Sequence, residues 1–222
     1  MIVKRSALLV GASGLVGGHC LRLLLESTAY SHVVVMGRKR INLAHEKLQQ
    51  FEVDFEALPS DGGHFGVDDV YCCLGTTIAR AGSQQAFARV DRDYPQRIAE
   101  RALENEAKQF LLVSSVGANP TSTNFYLRTK GEIEQGIEAM SFQSTHIFRP
   151  SMLLGERKEF RWKERLLEPV MRATAWMFVG SLEKYRPIKA VEVAAAMLRA
   201  AESGSTGVNI YEGARLFQLA KQ

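Results

Sequence analysis

"LLVGASGLVGGH", residues 8–19, sets three glycines, Gly11, Gly14 and Gly17, between an apolar run and a stretch with helical periodicity. A glycine string of this kind is either a turn with incidental glycines or a loop that carries an anion. Its setting decides between them. The glycines stand where a first strand ends and a first helix begins, which is the context a dinucleotide loop requires. There Gly11 permits the tight turn, Gly14 lets backbone amides approach a pyrophosphate, and Gly17 lets the helix pack close to the sheet. Free N–H groups and the positive end of the helix dipole then face the phosphates, with the Ser13 hydroxyl beside them.

Outward from this loop the chain alternates. Apolar runs recur at 7–10 (ALLV), 33–36 (VVVM), 69–74 (DVYCCL), 110–113 (FLLV) and 145–148 (THIF). Helical periodicity occupies 15–27, 84–107, 126–140 and 190–202. Continuous apolar strands separated by amphipathic helices predict an α/β fold: a doubly wound, mostly parallel sheet covered on both faces, of Rossmann type. Residues 59–66 (PSDGGHFG) read as a loop. Residues 1–222 read as a single domain. After Pro150 the rhythm becomes irregular, so 150–222 is expected to be a short substrate-covering extension of that domain.

Hydrophobic residues make up 46% and charged residues 23% of the 222, enough to bury a core without disulfides or structural metal. The net charge of +4 is mild and its basic residues are scattered, which suits an anionic small ligand and disfavours nucleic acid. The three cysteines, Cys20, Cys72 and Cys73, lie in apolar stretches and read as buried, reduced thiols. The five histidines (His19, His32, His45, His64, His146) have no ligand spacing, so no metal is expected, and surface or half-buried packing is expected of each. With no signal peptide and no span of membrane length, a cytoplasmic protein with a small-molecule partner is expected.

An NAD site usually places Asp or Glu about 20 residues beyond the glycine loop, at the end of the second strand, to hold the ribose diol. Here that place reads Met36-Gly37-Arg38-Lys39-Arg40, three cations and no acid. An acid would repel a 2′-phosphate, whereas the planar fork of Arg38 can grip it, so NADP(H) is the expected cofactor.

Next comes "LLVSSVGANPTSTNFYLRTKGEIE", residues 111–134. Tyr126 and Lys130 are four residues apart, which puts both on one face of a helix. Hydride transfer to a carbonyl needs a proton donor beside the nicotinamide. Tyrosine can serve if its pKa falls from about 10 toward neutrality, and a lysine one turn away favours that fall. Ser115, after the preceding strand, would hydrogen-bond the substrate oxygen, with Ser114 as its rival for the role.

In these stretches the chain resembles the atypical short-chain dehydrogenases/reductases, and among them the Tat-interacting-protein-like NADPH-binding oxidoreductases. The matching segments are GASGLVG, MGRKR, VDFE, CCLGTT, RVDRDY, LVSSVGA, FYLRTKGEIE and FRPSMLLGER. The resemblance implies a Rossmann fold, NADPH binding and Tyr126 as proton donor. It places Gly11, Ser13, Gly14, Leu15 and Gly17 under the pyrophosphate, and Arg38 with Lys39 at the adenosine 2′-phosphate. Asp54 and Phe55 fall near adenine, and Leu74, Gly75 and Thr76 along the ribose. Tyr126 and Lys130 flank the nicotinamide, and Arg161 reaches a phosphate from the far side. The Ser115–Tyr126 separation is shorter than in longer-spaced members of the superfamily.

The function expected is therefore an NADP-dependent oxidoreductase acting on a small carbonyl or alcohol. The alternative is an NADPH-binding regulatory or scaffold protein without turnover. Phe125, Met152, Leu153, Trp162, Trp176 and Met177 are candidates for an apolar substrate wall, with core packing as the competing explanation. Cys72-Cys73 reads as a buried strand end, and the run 156–165 (ERKEFRWKER) as a solvated helix of mixed charge.

Overall fold

The computed structural model describes residues 4–58, 62–155 and 184–221. Arg161, Trp162, Trp176, Met177 and the 156–165 run lie outside the described residues. The apolar run after Arg5 becomes strand β1 (Arg5–Val10), followed by helix α1 (Leu15–Glu26), β2 (Tyr30–Gly37) and β3 (Leu48–Glu52). The second half of the sheet is β4 (Asp69–Cys72), β5 (Gln109–Val113), β6 (Ser144–Arg149) and a strand near the C-terminus, Gly207–Glu212.

These seven strands pair in the order β3-β2-β1-β4-β5-β6 with Gly207–Glu212 at the far edge, and every pairing is parallel. From β1 the chain winds one way to β2 and β3, then returns to the other side of β1 to lay down β4. That reversal opens a crevice at the carboxyl ends of β1 and β4, where ligands of open α/β sheets bind. The glycine loop sits at that crevice because β1 ends at Val10, in register with Met36 of β2 and Cys72 of β4.

Successive strand residues face opposite sides, so β1 feeds two cores. Ala7 and Leu9 join α1 and the later helix α6 (Ala190–Glu202) in one cluster through Leu21, Leu24, Val193 and Met197. Leu8 and Val10 join α4 (Tyr94–Glu104) and α5 (Phe125–Glu138) in the other through Ile98, Ala99, Ile133 and Ile137. Burying each large aliphatic side chain stabilises by about 1.5–3 kcal/mol, which is why the central strands are apolar on both faces.

The helical stretch expected over 84–107 is interrupted. After two short helices, α2 (Ile78–Ala81) and α3 (Gln84–Ala88), the chain makes one π turn over Arg89–Asp93 before α4. Pro95 stands in the first turn of α4, where its missing N–H does no harm. The rhythm that weakens after Pro150 returns: β7 (Leu153–Leu154) pairs with β8 (Ile188–Lys189), then come α6, β9 (Gly207–Glu212) and α7 (Gly213–Lys221). Of the strands beyond the five apolar runs, β7 and β8 are two-residue strands of a separate sheet, while β3 (LQQFE) and β9 (GVNIYE) are edges of the main sheet, where one side is wet and a continuous apolar run is not needed.

Surface or half-buried packing is wrong for His146, which is 0% exposed. Its Nε2 lies 2.8 Å from Ser144 Oγ and its Nδ1 lies 3.1 Å from the Tyr211 hydroxyl, so the polar ring is satisfied inside the core. Burial, helped by Arg215, pushes its pKa down from 6.5 to about 4. The folded state keeps this ring neutral where the unfolded chain takes a proton. Its contribution is therefore intact above pH 6.5 and is lost as pH falls toward 4. Asp69, pushed up to about 6 by burial, acts in the opposite sense over the overlapping range. Only a comparison with a variant separates the two. Between pH 7 and 4, wild type should lose about 3 kcal/mol more than His146→Gln in urea titrations. Parallel loss in both proteins would refute this origin.

Candidate functional site

The glycine loop is shaped by backbone collisions that only glycine avoids. Gly11 has φ +82°, and a Cβ there would lie 2.4 Å from the Cys73 carbonyl oxygen at the end of β4. A Cβ on Gly17 would lie 2.2 Å from the Gly11 carbonyl oxygen, so α1 is seated directly against the turn. Gly14 caps α1 with no side-chain hydrogen bond, and the first turn holds no acid. The leading amides of α1 are therefore open to an anion, beside exposed Ser13 and Gly14. This cradle fits a dinucleotide pyrophosphate. Leu15 touches the chain beyond β7, since a Cβ on Gly155 would meet its Cδ1 at 2.8 Å. Gly155 thus lies against the start of α1.

Arg38 and Lys39, Asp54 and Phe55, Leu74 to Thr76, and Ser115 follow the ends of β2, β3, β4 and β5 on the same edge of the sheet. Arg38, Lys39 and Arg40 follow β2 and are exposed. Among the described residues none of them has a carboxylate partner. Asp54, beyond β3, is exposed and accepts the Glu56 N–H at 2.9 Å. The Phe55 ring is buried and stacked on Tyr94, with centroids 5.4 Å apart, so it forms part of the core. Leu74, Gly75 and Thr76 follow β4 across the crevice from Gly11.

Helix α5 carries Tyr126 and Lys130 on one face. Asn124 caps it by accepting the Leu127 N–H at 3.2 Å. Gly131 lets it approach the loop before it: a Cβ there would lie 2.2 Å from both the Asn119 carbonyl carbon and the Pro120 nitrogen. One turn on, buried Glu134 accepts from Arg149 at the end of β6, with Nη2 to Oε2 at 2.5 Å, and Arg149 also meets Glu212 at the end of β9. The helix is thereby tied to two strand ends. Tyr126 is half-buried, its ring 5.5 Å from that of Phe87 on α3.

Lys130 is only 5% exposed, and its Nζ lies 2.7 Å from Asp91 Oδ1 on the π turn. Asp91 Oδ2 accepts the Thr76 N–H at 2.8 Å. Desolvation pulls the lysine pKa down, but the Asp91 charge and the neighbouring Tyr126 overrule it, so the net shift is upward. Of the two serines, Ser114 is buried and its Oγ has no hydrogen-bond partner among the described residues. The Ser115 hydroxyl is half-buried and turns toward the Val116 carbonyl at 3.5 Å.

Asp91 is the site residue that sequence reasoning passed over. Its signal was present in RVDRDY, but nothing in one sequence tells a buried carboxylate from a helix-surface one. Cys72 and Cys73 carry free thiols, as Cys20 does, and burial pushes Cys72 up to about 12, which makes it a poor nucleophile. Among the described residues no three His, Cys, Asp or Glu side chains gather in a metal-binding group.

A parallel sheet with a glycine cradle at its switch point, and a buried lysine beside a tyrosine across the crevice, defines a nucleotide-binding enzyme of short-chain dehydrogenase/reductase type. The chain belongs to the NAD dependent epimerase/dehydratase family, whose model matches residues 7–212. It is 36% identical to the protein HTATIP2 of Rattus norvegicus, over 98% of this chain and 90% of that one. It is 33% identical to the protein FMP52-1, mitochondrial, of Scheffersomyces stipitis, over 98% of this chain and 99% of that one. Among solved structures it resembles MoeE5 in complex with UDP-glucose and NAD, with TM-score 0.70 and 15% identity, over 97% of this chain and 80% of that one. That likeness is one of fold. The cytoplasmic expectation is overturned by these relatives: the yeast proteins are named mitochondrial. It had rested on the lack of a secretory signal, which says nothing about organelles. Among the described residues no helix is long and apolar enough to cross a membrane.

Proposed function

We propose that the chain is an NADP-dependent oxidoreductase that interconverts a small carbonyl and its alcohol by hydride transfer. The observation that carries this proposal is the pairing of Tyr126 with a buried, ion-paired Lys130 on one face of α5. Gly11, Ser13, Gly14, Leu15 and Gly17 hold the pyrophosphate, and Arg38 with Lys39 the 2′-phosphate. Asp54 and the Phe55 backbone border the adenine, and Leu74, Gly75 and Thr76 the ribose. NADPH, bound there, supplies the hydride. Tyr126 Oη gives its proton to the carbonyl oxygen as the alcohol forms, while the Lys130 ammonium stabilises the phenolate left behind. Ser115 Oγ, rotated away from Val116, donates to the same substrate oxygen.

Exposed Arg38, unpartnered among the described residues, carries the cofactor preference. A charge-assisted contact with the 2′-phosphate is worth about 1.5–3 kcal/mol, which is about 10- to 150-fold in affinity. Calorimetric titration should find NADPH bound more tightly than NADH by that factor, with most of the difference erased in Arg38→Ala. Because the contact is ionic and exposed, the preference should also shrink as salt rises. Equal affinities in the unmodified protein would overturn the assignment.

A further inference from the structure

We propose that Asp91 is a positioning residue that locks Lys130 in place and, by offsetting its charge, keeps the Tyr126–Lys130 pair fully protonated to a higher pH than lysine and tyrosine alone would hold. This rests on the reading of Tyr126 as proton donor. Asp91 stands on the single π turn between α3 and α4, a local widening that recurs at functional positions and here turns a carboxylate inward. The carboxylate is 2% exposed, and its two oxygens make different contacts. Oδ1 takes the Lys130 ammonium at 2.7 Å, and Oδ2 takes the Thr76 amide at 2.8 Å. One side chain therefore ties the loop after β4 to the helix that carries the proton donor.

The electrostatic consequence follows from what else faces the pair. Lys130 is flanked by Asp91 from the π turn, by Tyr126 on its own helix and by Cys72 from β4. Phe87 from α3 packs on the tyrosine and brings no charge. The Cys72 thiol is held neutral by burial. Asp91 is thus the one anion in this group. With it, tyrosine, lysine and carboxylate sum to zero before ionisation and to minus one after. Without it, the pair starts at plus one and ends neutral. Two buried charges within hydrogen-bonding distance make that difference large, because the surrounding dielectric is low. The same ion pair stops burial from stripping the lysine of its charge.

The test reads the ionisation directly and needs no turnover. Protein labelled at tyrosine Cζ and lysine Cε is titrated by NMR, with Tyr126→Phe and Lys130→Met supplying the assignments. Asp91→Asn keeps the size of the side chain and an acceptor for the Thr76 amide. In this variant the first ionisation of the pair, whichever group reports it, should move down by about one pH unit or more. Asp91→Glu, which restores the charge, should move it back toward wild type. An unmoved or raised first ionisation in Asp91→Asn overturns the proposal, whether or not any carbonyl is reduced. Should Asp91→Asn fail to fold, the lysine Cε signal of the unmodified protein decides. Lys130 titrating above ordinary lysine supports the lock, and an ordinary or lowered value overturns it. If a substrate is turned over, the alkaline limb of the reduction profile should shift with the ionisation. Absence of turnover counts against the proposed oxidoreductase and leaves the titration result standing.

Discussion

Gly131→Ala should cost this protein a large share of its stability, whereas Gly136→Ala, five residues along the same helix, should raise it. Helix propensity favours both changes, by about 1 kcal/mol each. The surroundings separate them. A Cβ on Gly131 would lie 2.2 Å from the Asn119 carbonyl carbon and the Pro120 nitrogen. Both are backbone atoms of a loop held by the Asn119 N–H to Leu127 carbonyl bond at 3.0 Å, so neither can swing aside. Overpacking against yielding side chains costs about 1–3 kcal/mol. Against fixed backbone the loss should reach about 4 kcal/mol or more, out of a total of about 5–15. Thermal unfolding should then show Tm lowered by about 8–16 °C. A Cβ on Gly136 would meet nothing nearer than Gln96 Oε1 at 3.7 Å, so its propensity gain survives and Tm should rise by a few degrees. A Gly131→Ala protein as stable as wild type would show that α5 does not press on the 119–120 loop. The seat of Tyr126 and Lys130 would then be misdescribed.

Tyr126→Phe should abolish most turnover while leaving cofactor affinity nearly unchanged. Phenylalanine keeps the ring and its packing on Phe87 but removes the atom that carries the proton. A positioned general acid is worth roughly 10²–10⁴ in rate, or about 3–5 kcal/mol of barrier. The assay is NADPH oxidation against a panel of aldehydes, ketones and quinones, with calorimetry of NADPH in parallel. Loss of binding together with rate would point to collapse of the site. A variant that binds and turns over like wild type would exclude Tyr126 as the donor.

The glycine loop after β1 was legible because backbone geometry dictates its residues. Gly11 and Gly17 are glycine because a Cβ at either would strike a carbonyl oxygen, and such collisions leave a spacing in the sequence. The central strands β1, β2, β4 and β5 were legible for a related reason: buried on both faces, they must be apolar throughout. The edges escaped. β3 and β9 each leave one side to solvent, so LQQFE and GVNIYE mix polar with apolar residues. The π turn escaped too, because a widened turn keeps the helical look of 84–107. With it went Asp91, whose burial depends on which way that turn faces. His146 could not be read as buried, since its distant partner Tyr211 meets it only once β6 and β9 pair.

Hydride transfer at this site is tested most directly by isotope. NADPH carrying deuterium on the transferred position of the nicotinamide is incubated with the protein and an accepted carbonyl, and the alcohol is read by mass spectrometry. One deuterium on the carbinol carbon is expected, lost in step with rate in Tyr126→Phe. Tight binding of NADPH with no labelled alcohol from any carbonyl in the panel would contradict an oxidoreductase and leave a cofactor-binding protein without turnover.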